Sequence, residues 1–515
     1  MDIFLSYSWS CSELADKLEN TLAMEPAFHI LRDIHAVEVA ESLHSFMNSI
    51  REAFCSILLI NEAYLQSRNC INELVALSKE RDFTRQLIPV IIQGTDIFTK
   101  QGKDRAIRFW EGIRDETLPF ETSELSRALE VVGDLKCIVY NQKEDIDAKH
   151  CGQAVMDTLI QRVFDHELRP APITIHWFPL PKRRLLCIDF GTSYTLACAI
   201  GTDGHSYMVR DCRGEASFPS AIELHSDGSY AVGNAVNTLI PNSNTYVVRA
   251  LKRVILGAGS VTYGPYHFST MLLIAMLFHS VKRNAEEFFG VSFNETLLSV
   301  PVEFRGYETK LLESAAQVAG LTVVRAIQES STASLLTTAH AATLGYSYLL
   351  NIDLGGGTLD ISAAEVSDGV CEILFSLGNR SFGSMDYDHM VCQYAVSRLE
   401  REYNLAPIYS DSTLYACILA QVEQIKIELS RCNHTRFSLQ AANQMGDMVI
   451  YTWDMTRDTY AEITHELTVQ LKSILEHTKK LLKESIIGDE KFLIYLTGQG
   501  SKLFIIPQLI QETFL

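Results

Sequence analysis

Twice in this chain an apolar run ends on aspartate, passes through glycine and threonine, and resumes as a second apolar run. The first is Leu186-Cys187-Ile188-Asp189-Phe190-Gly191-Thr192-Ser193-Tyr194-Thr195, and the second is Asp353-Leu354-Gly355-Gly356-Gly357-Thr358-Leu359-Asp360. Each predicts a strand, a tight turn and a returning strand. Glycine lets the main chain come close to a ligand, and such a turn aims backbone N–H groups and short hydroxyls at a phosphate. Asp189 is placed to reach a magnesium ion through water. One turn of this kind occurs in many hairpins. Two in the same frame predict two related α/β halves facing a shared cleft, and this constrains everything from residue 185 onward.

The 515 residues are several times what one hydrophobic core organises, so more than one domain is expected. The pattern breaks at Pro170, Pro172, Pro179 and Pro181, followed by Lys182-Arg183-Arg184. Prolines this close cannot continue a helix and favour a stiff, extended connector. The expected division is residues 1–167, a connector at 168–184, and residues 185–515. Upstream, short apolar runs alternate with amphipathic stretches, which predicts βα repeats around a parallel sheet. Ile3-Phe4-Leu5, Phe28-His29-Ile30-Leu31, Ser56-Ile57-Leu58-Leu59-Ile60, residues 87–92 and Cys137-Ile138-Val139-Tyr140 read as its strands. Ser10-Cys11-Ser12-Glu13 has the form of a capping box before Leu14, Leu18 and Leu22 on one helical face. A last helix is expected over residues 148–167.

Composition excludes several classes. With 47% hydrophobic and 21% charged residues, long disordered tracts are not expected. Lys and Arg total 44 against 63 Asp and Glu, a net charge of −19 that opposes non-specific binding to nucleic acid or anionic lipid. Neither nucleic acid nor membrane is therefore an expected partner. The 12 cysteines include no CxxC pair and read as reduced thiols rather than zinc ligands or disulfides. No basic segment followed by an apolar one opens the chain. Its apolar windows break well before the ~20 residues of a membrane span, so a cytoplasmic protein is expected.

The stretch Tyr64-Leu65-Gln66-Ser67-Arg68-Asn69-Cys70-Ile71-Asn72-Glu73-Leu74 enters a helix whose apolar face holds Cys70, Leu74 and Leu77. Asn69 is the expected N-cap, leaving Glu73 just past the first turn, where it reads by itself as a complement to the helix dipole. Tyr7, Ser8 and Trp9 follow the first strand, at the edge where open α/β sheets bind ligands. Trp9 reads equally as a stacking or a packing residue. Asp2-Ile3-Phe4-Leu5-Ser6-Tyr7-Ser8, Leu31-Arg32-Asp33 and the Tyr64…Ser67…Cys70…Glu73-Leu74 spacing together resemble the Toll/interleukin-receptor (TIR) domain over residues 1–165. The resemblance implies a flavodoxin-like parallel sheet. In NAD-cleaving relatives the glutamate of this segment breaks the nicotinamide–ribose bond. Carried over, Glu73 is catalytic, and Ser6, Tyr7, Ser8, Trp9, Arg32, Asp33 and Cys70 would bind NAD+. A carboxylate suits oxocarbenium charge developing on a ribose, and nicotinamide leaves as a neutral group. Residues 34–39 lack the glycine many relatives carry there, in a loop that often mediates TIR self-association.

Residues 185–510 resemble the nucleotide-binding domain of the 70-kilodalton heat-shock proteins, two-lobed actin-like ATPases with a ribonuclease-H-like fold. Besides the twin turns, the likeness runs through Lys252-Arg253, Val300-Pro301-Val302-Glu303-Phe304, Ala319-Gly320-Leu321, Gln328-Glu329 and Gly378-Asn379-Arg380-Ser381-Phe382-Gly383. It ends in Thr497-Gly498-Gln499-Gly500-Ser501. It implies ATP or ADP with Mg2+. Lys252 would position the attacking water, Thr192 and Thr358 would contact phosphates, and Asp189 and Asp353 would order magnesium through water, with Glu329 near the metal shell. Gly191, Ser193, Tyr194, Gly355, Gly356, Gly357, Gly383, Gly498, Gly500 and Ser501 complete the implied nucleotide site. On the helix around residue 425, Val422, Ile425 and Leu429 share one face and Glu423, Lys426 and Ser430 another. Those three would grip adenosine by the likeness, with Ile427 where relatives usually carry a basic side chain.

Three departures favour ATP binding over fast hydrolysis: Ser330-Ser331 after Glu329, Gln499 between the glycines, and Met385 beside Asp386. The expected unit ends before a whole ATPase would close and carries no peptide-binding domain. The leading expectation is an NAD+ nucleosidase, an innate-immune or antiphage effector, regulated by an ATP-binding sensor domain and self-associating through TIR contacts. The alternatives are a non-enzymatic TIR adaptor with an ATP-dependent switch, and a chaperone-like ATPase with the TIR domain as an address.

Overall fold

The computed structural model describes residues 1–32, 53–79, 83–113, 120–140, 145–169, 181–236, 245–257, 259–263, 266–367, 370–409, 413–443, 445–486 and 491–514. Asp33, the loop at 34–39 and the prolines at 170, 172 and 179 lie outside them. Two compact units form. One is Met1–Glu167 with Asp227–Ser229 and Ser260–Ser269; the other is Leu168–Ser226 with Tyr230–Gly259 and Thr270–Leu515.

The first unit is built on five parallel strands: β1 (Asp2–Tyr7), β2 (His29–Leu31), β3 (Cys55–Ile60), β4 (Leu87–Ile92) and β5 (Ile138–Tyr140). Their order is β2-β1-β3-β4-β5, with every pair parallel. Both faces of such a sheet are covered by the crossover helices, which is why β3 and β4 are buried throughout and read as unbroken apolar runs. Helix α1 (Ser12–Leu22) buries Leu14, Ala15, Leu18 and Leu22. It starts differently from the sequence expectation: a 3-10 turn, Trp9–Cys11, precedes it and Cys11 is its uncapped N-cap. Ser10 does not cap because its hydroxyl is taken by Ser8 and Asn61. Helix α2 (Arg68–Leu77) follows β3, and α3 (Asp145–Asp165) closes the unit three residues earlier than the pattern suggested at its start.

The second unit contains the two related halves. In one, β6 (Leu185–Phe190), β7 (Tyr194–Ile200) and β8 (Ser206–Met208) form an antiparallel meander, and β6 also pairs in parallel with β9 (Glu295–Val300), which pairs with β10 (Thr322–Gln328). In the other, β11 (Tyr348–Leu354), β12 (Leu359–Ser367) and β13 (Val370–Asn379) repeat the meander, and β11 pairs in parallel with β14 (Phe492–Thr497). Each Asp-Gly turn thus joins the first two strands of a meander. Helices α4 (Leu251–Gly257), α5 (Thr270–Phe289), α6 (Glu329–Leu344), α7 (Ser384–Glu402) and α8 (Thr413–Leu429) pack around these sheets. Phe278 of α5 meets Phe190 of β6 edge-on at 5.5 Å, while Val422, Ile425 and Leu429 of α8 join the core of the second half. Among the described residues no helix is long and apolar enough to cross a membrane.

Candidate functional site

In a doubly wound sheet the strand order reverses between β1 and β3, and the chains leaving those two strands diverge to open a crevice at their carboxyl ends. A cavity of about 240 Å³ lies there. Its walls come from β1 and the turn after it, Phe4 to Ser10, and from Ala63, Ser67, Asn69, Cys70 and Glu73 beyond β3. Ser6, Tyr7, Ser8, Trp9, Cys70 and Glu73 are therefore brought together. Arg32 is not: its guanidinium is buried, donates to Asp16 at 2.8 Å, Glu19 at 2.5 Å and the Tyr7 hydroxyl at 2.7 Å, and lies over the Tyr7 ring. Those acceptors, outweighing its burial, raise its pKa further. Arg32 braces β2 against α1, and it holds Tyr7 by its hydroxyl, leaving that buried ring unsuited to stacking. Trp9 is the reverse case. It is 76% exposed at the cavity edge, so it is not a packing residue.

Local chain chemistry sets Glu73. The N-cap of α2 is Ser67, whose hydroxyl accepts the Cys70 N–H, rather than Asn69. Glu73 therefore sits in the second helical turn, half-buried, on the side that faces β1. Ser6 Oγ donates to Glu73 Oε2 at 2.7 Å and is 3.0 Å from the Tyr64 hydroxyl. Burial holds that phenol protonated far above its ordinary range, with Cys70 and Glu73 adding to the effect. With the Ser6 proton committed to Glu73, the Tyr64 hydroxyl is the donor to Ser6. A two-step chain, Tyr64 to Ser6 to Glu73, thereby fixes one carboxylate oxygen. Asn61 does the same for the opposite wall: its Oδ1 accepts from Ser8 at 3.0 Å and from the Tyr64 N–H at 2.7 Å, and its Nδ2 donates to Ser10. Neither Tyr64 nor Asn61 stood out as a site residue. For Tyr64 the signals available are its place in the Tyr64…Glu73 spacing and the need of a buried tyrosine for a hydroxyl partner.

In the second unit the twin turns touch. A Cβ added to Gly356 would lie 2.1 Å from Ser193 Oγ, and one on Gly357 would lie 2.6 Å from the Thr192 side chain, so only glycine permits the approach. Thr192 and Thr358 are buried beside it, whereas Tyr194 is half exposed. Lys252, at the start of α4, is buried and donates to Glu329 Oε1 at 2.6 Å; Glu329 begins α6. Burial works against the Lys252 ammonium, yet Glu329 raises its pKa. Burial lifts Glu329 to about 7, with Lys252 opposing and Asp189 and Asp360 adding. Burial likewise lifts Asp353 and Asp360 to about 6. One lysine among four carboxylates leaves the cleft short of positive charge, the condition a hydrated divalent cation relieves. Among the described residues no three Asp, Glu, His or Cys side chains converge to hold a metal directly.

Arg253 grips both oxygens of Asp386 at 2.9 and 2.6 Å and donates to the Gly357 carbonyl, and Asp386 in turn accepts the Gly383 N–H. Ser299 Oγ donates to Asp189. On α8, Lys426 pairs with the buried Asp388, the Ser430 hydroxyl donates to the Lys426 carbonyl, and burial raises the Glu423 pKa. Ile427, on the same helix, is 47% exposed. Gly498 has φ +77°, and a Cβ there would lie 2.3 Å from the Leu354 carbonyl; one on Gly500 would lie 2.7 Å from the Leu354 carbonyl and 2.9 Å from that of Gly355. Gly498, Gly500 and the buried Ser501 therefore close on the end of β11 beside Asp353.

Comparison with known proteins accords with these two geometries. Residues 3–122 match the TIR domain model and residues 258–514 the Hsp70 protein model. Over 335 residues, 65% of this chain, it is 25% identical to the chaperone protein DnaK of Ureaplasma urealyticum serovar 10 and to that of Ureaplasma parvum serovar 3. The matched part is 55% and 54% of those proteins, so the chain spans about half the length of the curated relatives it matches. The chain is a TIR domain fused to an Hsp70-type domain of actin-like fold.

Proposed function

We propose that this protein cleaves the nicotinamide–ribose bond of NAD+ in the cavity of its first unit, and that nucleotide held in its second unit sets the rate. The observation that carries the reading is Glu73, the one carboxylate among the described residues that line the cavity between β1 and β3, held by Ser6. In the reaction the C–N glycosidic bond breaks, nicotinamide leaves with the electron pair, and positive charge spreads over the ribose C1′ and ring oxygen. A fixed carboxylate stabilises that charge, and water then adds to C1′ and loses a proton. Trp9 offers an exposed ring to the cationic nicotinamide. Ser8 and Ser10, held by Asn61, present hydroxyls to the rest of the dinucleotide.

In the second unit Thr192, Thr358 and the backbone of the twin turns suit phosphate oxygens, and Asp189 and Asp353 suit the waters of a magnesium ion. Magnesium would neutralise phosphate charge there. Lys252 and Glu329 hold a polar pair next to that position. Lobes that close on a nucleotide form a two-state element, the kind of device that alters how TIR domains meet.

The test is nicotinamide release from NAD+ by the purified full chain, with and without Mg-ATP, beside Glu73→Ala. Release by wild type that depends on Glu73 and changes with Mg-ATP supports the reading. NAD+ left intact while Mg-ATP changes self-association, read by light scattering, replaces it with a signalling adaptor.

A further inference from the structure

In the first half of the second unit, Cys187 of β6 stands directly opposite Cys198 of β7. Directly opposed residues of an antiparallel pair project to the same face of the sheet, and both cysteines are half-buried, open to a small oxidant. No other two cysteines among the described residues stand opposite each other in a strand pair. Alternation along β6 puts Cys187 on the same face as Asp189, and Asp189 is close enough to act electrostatically on Cys198. The turn at residues 191–193, which meets Gly356 and Gly357, is the covalent continuation of the two strands that carry the pair.

We propose that Cys187 and Cys198 form an oxidisable dithiol whose disulfide weakens nucleotide binding at the adjoining turn. The oxidant is of the peroxide class. One sulfur attacks a peroxide oxygen, the O–O bond breaks, and a sulfenic acid and one water result; the second sulfur then displaces a second water to form the S–S bond. Two thiols and one hydrogen peroxide thus give one disulfide and two waters, and a dithiol reductant reverses the change.

The structural consequence follows from spacing. Directly opposed residues of an antiparallel pair have Cβ atoms about 4.5–5.5 Å apart, whereas a disulfide draws them to about 3.5–4.5 Å. Closing that gap pulls β6 and β7 together two residues from Asp189 and reshapes the phosphate turn. A ligand site tolerates displacements of only about 0.5 Å.

The inference concerns the pair itself, and only its effect on ligand rests on the nucleotide-binding reading. The experiment treats the full chain with hydrogen peroxide, alkylates free thiols, maps peptides, and measures affinity for Mg-ADP before and after. The expected result is a cross-linked 187–198 peptide pair, reversed by dithiothreitol, with affinity about tenfold weaker in the oxidised form. In Cys198→Ser both the cross-link and the affinity change disappear while affinity of the reduced protein is unchanged. Cysteines that remain separately alkylated, or a cross-link that leaves affinity unaltered, overturn the proposal. Reduced protein that never binds Mg-ADP overturns the nucleotide reading instead, with the cross-link still deciding the dithiol.

Discussion

Glu73 is one carboxylate among 63 acidic residues, and what distinguishes it is the company of two hydroxyls. Its place in a C-x-x-E segment was readable, because helical spacing and the turn before it are local. The Tyr64–Ser6–Glu73 chain was not, since it joins residues whose proximity depends on β1 and β3 being neighbours. The same holds for Arg32. Its motif pointed to the ligand, but Asp16 and Glu19 lie on the helix face that packs over it, and a buried guanidinium goes to its carboxylates. Asn69 and Ser67 are both good N-caps, and only the backbone decides between them. Tyr64→Phe removes the donor to Ser6 and frees the serine to rotate. It should lower kcat for NAD+ cleavage about tenfold with little change in KM, and cost about 1 kcal/mol of stability. Trp9→Ala should do the opposite: KM rises about tenfold through loss of stacking, and thermal stability moves by less than about 0.5 kcal/mol. A large loss of stability would mean that the ring packs after all.

At the scale of elements, the twin strand–turn–strand units were the most legible part of the chain. Their glycines are demanded by close approach of one turn to the other, and that demand leaves a mark in sequence. The apolar and polar faces of α8 were readable for the same reason, since both repeat at helical spacing. The Arg253–Asp386 pair left no such mark, its partners being 133 positions apart. The carboxylates at the strand ends carry a cost that is visible in pH. An acid whose pKa is raised on folding binds its proton more tightly in the folded state. Its folded form is therefore favoured below the unfolded value and loses that advantage as pH rises through the folded one. For Asp360, lifted to about 6 by burial, the window lies between about pH 4 and 6. Asp360→Asn removes the buried charge. The nucleotide-free variant should gain on the order of 2 kcal/mol over wild type at pH 8, and lose that gain at pH 4. Thermal midpoints across pH measure this, and a difference that does not change with pH contradicts it.

The whole molecule joins two domains in one chain. Residues matching the TIR model stop at 122, yet the first compact unit continues to Glu167, because β5 and α3 complete its sheet and cover it. The Hsp70 match begins at 258, although the first Asp-Gly turn lies at 189–193. The repeated strand order shows that β6 to β8 belong to the same fold as β11 to β13. A net charge of −19 keeps like chains apart at low ionic strength. Self-association driven by nucleotide would therefore strengthen as salt is added, which sedimentation at two ionic strengths reads directly. The central claim is that cleavage depends on one ionised side chain in the β1–β3 crevice. It is tested most directly by nicotinamide released from NAD+ under Mg-ATP by wild type and by Glu73→Gln, which keeps the shape and the Ser6 contact but removes the charge. The account predicts a fall of about 10²-fold or more with an unchanged thermal midpoint. Release by the glutamine variant at the wild-type rate would contradict it.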